Sequence, residues 1–339
     1  MMKVCIITTV YNAAEDLPRL LNSMMAQKSS ELEFFLIDNG STDNSRSICE
    51  EYAKLDNRFK IFIIKENVGY ICARNIGIKE VTADYIGFCD SDDFLVEGAY
   101  DRAIEKINET HCDLYLTSYR TIQGEKIVEN KLPYAVGCYK GVDIKEKVLP
   151  LAFGPYKEKA MLHGFMWKEI FRHDLLLTNN LTFDAELKPY EDQLLNVQAI
   201  SLCNKIFVDD NPIYNYIVNP KSITAQDIKG TDFSKDWNRI VTLYNKKNNY
   251  VNDHKTKTSN ANATFNFIYA MVLKIIKYDS NPKQTLLTLL DDDFIGKILT
   301  DVNMKKNKSL AFVFFCLKHH HITALCYIIK NMLKVKKYA

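Results

Sequence analysis

Residues 84–93 read DYIGFCDSDD, an apolar run that ends without a spacer in three aspartates, Asp90, Asp92 and Asp93. The run at 84–89 has the length and the aromatic and branched character of a buried strand. The same pattern repeats on the amino-terminal side. Residues 3–10 (KVCIITTV) run into Tyr11-Asn12, residues 32–37 (LEFFLI) into Asp38-Asn39-Gly40-Ser41, and residues 59–64 (FKIFII) into Glu66-Asn67-Val68-Gly69. Helical patterns lie between and after them. One covers 14–27, with Leu17, Leu20, Leu21, Met24 and Met25 at helical spacing and Pro18 in its first turn. A second is capped by Thr42 or Asp43 and reaches Leu55; a third covers 71–80 and a fourth 97–109. Near-continuous apolar strands alternating with helices predict an α/β fold, a mainly parallel sheet flanked by helices on both faces.

In open sheets of this kind ligands bind outside the carboxyl ends of the strands. The four polar clusters all fall there. No GxGxxG follows the first strand and no GxxxxGK[ST] occurs, so a diphosphate bound at this edge needs its charge neutralised by other means. Alternate side chains of an extended stretch point the same way, so Asp90 and Asp92 can face one ligand. Oxygen donors of that type suit Mg²⁺ or Mn²⁺. The competing reading is a solvated acidic turn that caps the next helix. Arg74, within GYICARNIG (69–77), can reach a phosphate oxygen from the third helix. It can equally be an exposed helix arginine.

Composition narrows the function classes. Of 339 residues 47% are hydrophobic, which excludes a disordered chain. The 44 Lys and Arg against 42 Asp and Glu leave a net charge of +2, so no nucleic-acid partner is expected. Nine scattered cysteines without a CxxC pair read as reduced thiols, which points to the cytoplasm. No run approaches the roughly 18 apolar residues of a spanning helix, and the amino-terminal run is too short for a signal peptide.

Five segments, in order, resemble the family 2 glycosyltransferases, which have a GT-A (Rossmann-like) fold. They are TTVYNAAEDLPRLLNSMMAQ, LIDNGSTDNS, ENVGYICARNIGI, YIGFCDSDDFLVEGAY and GFMWKEIFRHDLLLTNNLTFDAELKPYEDQLL. The resemblance runs to about residue 224 and implies roles. Thr9, Tyr11, Asp38 and Asn39 would hold the uracil and ribose of a UDP-sugar, with Asn39 at a position where the family often has Asp. Arg74 would contact the nucleotide or its phosphates. Asp90 would touch ribose or sugar and share in holding the metal, which Asp92 would ligate directly. Asp93 would hold the donor sugar or a metal-bound water. Asp192 would be the general base, with Glu191 in support; read on its own, this pair is a favourable acidic start to a helix. Trp167 and Lys168 would line the acceptor pocket, with Trp167 equally readable as core. Ile217 replaces the family's usual Arg, a loss that Lys221 could make good. The implied reaction is inverting, metal-dependent transfer from a UDP-sugar to a hydroxyl of a glycan acceptor, lipid-linked or free, in bacterial surface polysaccharide or lipooligosaccharide synthesis. A sugar-nucleotidyltransferase and a non-catalytic sugar-nucleotide-binding module are the alternatives.

The expected division is a GT-A domain over 1–230, with a nucleotide-sugar half at about 1–110 and an acceptor half at about 111–230, then a helical region over 231–339. Helical patterns fall at about 262–278, 283–298, 308–318 and 322–335, after an Asn- and Lys-rich stretch. The last places Lys330, Lys334, Lys336 and Lys337 near an apolar face, which suits peripheral contact with the inner face of the plasma membrane. It suits a helix packed on the main domain as well.

Overall fold

The computed structural model describes residues 2–154, 164–218, 232–290, 292–303, 308–319 and 321–335. Two compact units emerge. The first comprises Met1–Leu149, His163–Ala185 and Glu191–Asn219; the second comprises Pro150–Leu162, Glu186–Tyr190 and Pro220–Ala339.

The first unit begins with four strand–helix repeats: β1 (Val4–Val10), α1 (Leu17–Met25), β2 (Leu32–Asn39), α2 (Ser45–Leu55), β3 (Phe59–Ile64), α3 (Tyr70–Glu80) and β4 (Tyr85–Asp90), with β5 (Phe94–Leu95) before α4 (Ala99–Thr110). These lie within a few residues of the sequence reading. α1 buries Leu17, Leu20, Leu21 and Met24, while Met25 turns out to solvent. The start of α2 is served by Asp43, whose Oδ1 accepts the Ser45 N–H, although the capping position itself falls to Asn44. Then follow β6 (Leu114–Gln123), β7 (Lys126–Asn130), β8 (Gly137–Lys140), β9 (Glu169–Arg172) and β10 (Lys205–Ile217), with a helix at Glu191–Leu202.

All ten strands join one sheet in the order β3-β2-β1-β4-β9-β6-β10-β5, with β7 added to β6 and β8 to β10. Pairing is parallel through β3-β2-β1-β4 and between β6 and β10. It is antiparallel where β9 enters between β4 and β6 and along β5, β7 and β8. The parallel sheet expected from the sequence is thus the part formed by β1–β4; the rest is mixed. The cause is local: β7, β8 and β9 are short and carry charged residues, so none reads as an apolar run.

α3 lies unusually close to the sheet. A Cβ on Gly77 would come within 2.7 Å of Ile7 Cγ2 and 2.9 Å of Ile37 Cδ1. Glycine there lets the helix backbone settle onto β1 and β2, which fixes the depth of Arg74 one turn earlier. Gly40 is needed for a second reason. It has φ +73°, and a Cβ would meet the backbone of Asn67 and Glu66 at 2.7–2.8 Å.

The second unit is helical, with Phe233–Asn248, His254–Tyr278, Pro282–Leu289, Asp292–Asp301, Lys308–Lys318 and Ile322–Val335. Trp237, Ile240, Tyr244, Phe265, Ile268 and Val272 build its core. Three sequence expectations need correction. Phe233–Asn248 is a helix, capped by Asp232. The next helix starts at His254 rather than 262, because Asp253 and Thr256 form a capping box and the first turns bury Thr258, Ser259, Asn260 and Asn262 instead of apolar side chains. The expected helix 283–298 is two helices. Among the described residues no helix is long and apolar enough to cross a membrane. The final helix exposes Tyr327 (68%), Ile328 and Lys330, while Lys336 and Lys337 lie outside the described residues.

Gly77→Val is expected to destabilise the protein by about 1–3 kcal/mol through overpacking, measured as a lowered urea midpoint. An unchanged midpoint would mean that α3 can move off the sheet freely.

Candidate active site

The carboxyl ends of β1, β2 and β4 meet at one edge. Register pairs Thr9 with Asp90 and Val10 with Asp38. Neighbouring strands lie about 4.8 Å apart, so Thr9, Asp38, Asn39 and Asp90 form a contiguous set. The loops above them are knitted together. Asn12 Oδ1 accepts the Thr42 N–H at 2.8 Å, and Ser45 Oγ accepts the Ala13 N–H at 2.8 Å. Tyr11 projects from this edge and is exposed, whereas Thr9 is half-buried and Asp38 buried. Asp38 Oδ1 accepts the Ser41 N–H at 3.2 Å. The amide of Asn39 is engaged at both ends: Nδ2 donates to Asn67 Oδ1 at 3.1 Å and Oδ1 accepts the Val68 N–H at 3.0 Å. Asn67 Oδ1 also accepts the Gly69 N–H at 2.8 Å, just where α3 begins. The side chain of Asn39 is therefore a strut for the loop 66–69.

Arg74 is not an exposed helix arginine. Its side chain is 9% exposed, with Nη2 donating to Asp90 Oδ1 at 2.5 Å and Nη1 to Asp192 Oδ1 at 3.3 Å. The rings of Tyr70 and Phe183 flank the guanidinium, 5.1 and 5.4 Å from its carbon. Asn75 secures the neighbouring turn by donating to the Phe183 carbonyl and accepting the Phe183 N–H, both at 2.8 Å. Asp192 thus reaches the sheet edge from a distant part of the chain. Its carboxyl, 21% exposed, is pushed up to about 7 by burial and by the charges of Glu191, Asp90 and Glu169, with Arg74 pulling the other way. A carboxylate tuned to that range suits general-base chemistry at neutral pH.

The three aspartates after β4 differ by environment. Asp90 faces Arg74. Asp92 is half-buried and raised by burial and by the Asp90 charge, while its backbone carbonyl accepts Arg19 Nη2 at 2.7 Å. Asp93 is 1% exposed, with Oδ2 accepting the Tyr214 hydroxyl and Oδ1 the Ile217 N–H, both at 2.7 Å. Burial, with Asp90 close by, pushes it up to about 8. Both Asp93 oxygens are spent on anchoring β10. Tyr214 Oη also accepts the Asp90 N–H at 3.1 Å, so one phenol sets both ends of the turn. Trp167 stacks on Tyr214 at 4.3 Å and on Phe165 at 5.0 Å. It is buried core. Lys168 is buried as well, paired with Glu169, whose Oε1 also accepts Asn196 Nδ2 at 2.8 Å. Sequence reasoning missed Tyr214, Glu169 and Asn196 as site supports; only the Tyr-x-Tyr of 214–216 signalled the first.

A divalent cation can be tested against these donors. Burial, and next to it the charge of Asp90, raises the proton affinity of Asp92. Among the described residues no group of three or more His, Cys, Asp or Glu could hold a metal, so an ion at this turn would need its remaining ligands from the substrate. His173 is buried, its ring nitrogens 3.0 Å from the Ala83 carbonyl and 2.6 Å from that of Ile78. Lys221 lies outside the described residues.

Residues 5–157 match the family model Glycosyl transferase family 2. The chain is similar to the uncharacterized glycosyltransferase EpsJ of Bacillus subtilis, 26% identical over 245 residues, which is 71% of this chain and 70% of that one. It is also similar to the putative glycosyltransferase EpsH of the same organism, 29% identical over 225 residues, 66% of this chain and 63% of EpsH. The crystal structure of Staphylococcus aureus TarS 1–349 in complex with UDP-GlcNAc superposes with a TM-score of 0.74 at 22% identity, covering 98% of this chain and 92% of that one. By sequence, TarS, a poly(ribitol-phosphate) beta-N-acetylglucosaminyltransferase, is 28% identical over 219 residues, 64% of this chain and 35% of the whole relative. That superposition supports the GT-A fold.

Tyr214→Phe is expected to cost about 1–3 kcal/mol of stability by leaving Asp93 Oδ2 without its donor in a buried place. Urea unfolding checks this, and an unchanged midpoint would mean that the Tyr214–Asp93 contact carries no weight.

Proposed function

We propose that this chain is a family 2 glycosyltransferase, a reading supported by the match of its residues 5–157, and that it transfers a sugar from a UDP-sugar to a hydroxyl of a glycan acceptor with inversion at the anomeric carbon. The observation that carries this reading is the Arg74 guanidinium bonded to Asp90 and to Asp192 at once. It supports one site in which a nucleotide-binding strand end and a proton acceptor face common space. TarS has been solved with UDP-GlcNAc bound and is named for a poly(ribitol-phosphate) acceptor. By analogy the acceptor here is a bacterial surface polysaccharide, wall polymer or lipooligosaccharide.

Thr9, Asp38 and the exposed ring of Tyr11 offer the uracil and ribose contacts, and Asn39 acts through the loop it braces. Asp92, with Asp90, would hold Mn²⁺ or Mg²⁺, which when bound neutralises charge on the diphosphate. Asp192 removes the proton of the acceptor hydroxyl as its oxygen attacks the anomeric carbon from the face opposite UDP. The bond from that carbon to the β-phosphate oxygen breaks, and its electron pair leaves with UDP. Arg74 donates to the departing phosphate oxygens. A sugar-nucleotidyltransferase would need a Gly-rich, Arg-bearing loop after β1, and Thr9-Val10-Tyr11-Asn12 supplies none.

The test is release of free UDP from UDP-Glc, UDP-Gal, UDP-GlcNAc and UDP-GalNAc with acceptor present. Because Asp192 must be deprotonated to act, kcat for the accepted donor is expected to rise with pH and level off above about 7. Asp192→Asn is expected to lower kcat by about 10²–10⁴-fold while UDP still binds. Full turnover by this variant would remove Asp192 from the base role, and no release from any donor would favour a non-catalytic binding module.

Asp92→Ala is expected to abolish the gain in UDP affinity that Mn²⁺ brings to the parent protein, as read by calorimetry. Equal affinities with and without Mn²⁺ in both proteins would contradict metal dependence.

A further inference from the structure

We propose that Tyr70 and Glu191 form a positioning pair that aims the proton acceptor Asp192, so that the helix following the nucleotide-side loop also orients the base. The inference rests on the reading of Asp192 as that base. Tyr70 and Arg74 stand four residues apart on α3 and so share a face. Glu191 and Asp192 are the first two residues of the helix Glu191–Leu202. One face of α3 therefore holds two successive carboxylates: Tyr70 Oη donates to Glu191 Oε1 at 2.6 Å, and Arg74 Nη1 donates to Asp192 Oδ1 at 3.3 Å.

Glu191 is 3% exposed, and its Oε2 is buried without a hydrogen-bond partner. An acid that merely favours a helix start does so from the surface at little cost. A buried carboxylate with one oxygen unbonded is expensive. Its placement gives it an electrostatic role, because a negative charge beside Asp192 strengthens that residue's hold on a proton. The groups that face Asp192 are Tyr70 and Arg74 on α3, Glu191 on its own helix, Asp90 at the end of β4, and the Lys168–Glu169 pair at the start of β9. Among these, only Arg74 and Lys168 are cations and oppose the carboxylates. Tyr70 keeps Glu191 in place, and so sets the balance.

α3 is also tied to the nucleotide edge. It is preceded by Gly69, whose N–H is held by Asn67, which in turn accepts from Asn39 at the end of β2.

Steady-state kinetics over pH test the proposal. Tyr70→Phe keeps the ring over Arg74 and removes only the hydroxyl. It is expected to lower kcat by about 10- to 100-fold with donor KM changed by no more than about twofold. Glu191→Gln removes one negative charge and is expected to move the acid limb of the kcat profile to lower pH by about half a unit or more. An altered fold alone would not produce that directed shift. Unchanged kcat in Tyr70→Phe, a rise confined to its donor KM, or an unmoved acid limb in Glu191→Gln overturns the pairing. If those results came with an inactive Asp192→Asn, the base assignment would stand and the positioning pair alone would fall. An active Asp192→Asn would instead remove the base reading itself.

Discussion

The guanidinium of Arg74 is a charge placed under a sheet edge, and a charge so placed needs counter-charges within reach. Two supply it, Asp90 from the end of β4 and Asp192 from a helix 118 residues further along the chain. Much of the site's construction serves this contact. Gly77 lets α3 sink onto β1 and β2, Asn75 clips the Phe183 backbone to the next turn, and the rings of Tyr70 and Phe183 cover the faces of the guanidinium. The pairing limits how far the end of β4 and Asp192 can separate.

The acidic turn after β4 shows how environment divides like residues. Asp93 faces inward and is consumed by Tyr214 and Ile217, which lock β10 beside the turn. Asp90 faces the cation on α3. Asp92 keeps its carboxylate half-buried, with a raised affinity for protons that any nearby cation would relieve. The aromatic stack of Phe165, Trp167 and Tyr214 is the rigid backing that holds the turn. A residue pair expected to line an acceptor pocket, Trp167 and Lys168, belongs instead to this buried support.

The part built from β1–β4 was legible in the sequence because its strands are apolar runs of six or more residues with polar stops, and its helices carry apolar stripes. The later strands were not. β9 places Glu169 in the core with Lys168 and Asn196 both bonded to its Oε1, a pairing no local pattern reveals. The helix His254–Tyr278 hides its first turns in the same way, burying Thr258, Ser259 and Asn260 where periodicity seeks leucines. At the site, strand-end chemistry pointed to Asp90 and Asp92, and the family resemblance to Asp192. The bridging by Arg74 was invisible, since sequence separation conceals which carboxylates one side chain can reach. For Asn39 and Asp93, the family resemblance implied ligand contacts, whereas their hydrogen bonds are directed into the protein.

A crystal structure with UDP bound addresses the shared site most directly. The expected result is a diphosphate lodged beside Asp90 and within hydrogen-bond range of Arg74, with the Asp192 carboxylate lining the same cavity. UDP seated away from the β1–β2–β4 edge, or an Asp192 carboxylate opening onto a different surface from the nucleotide, would contradict it.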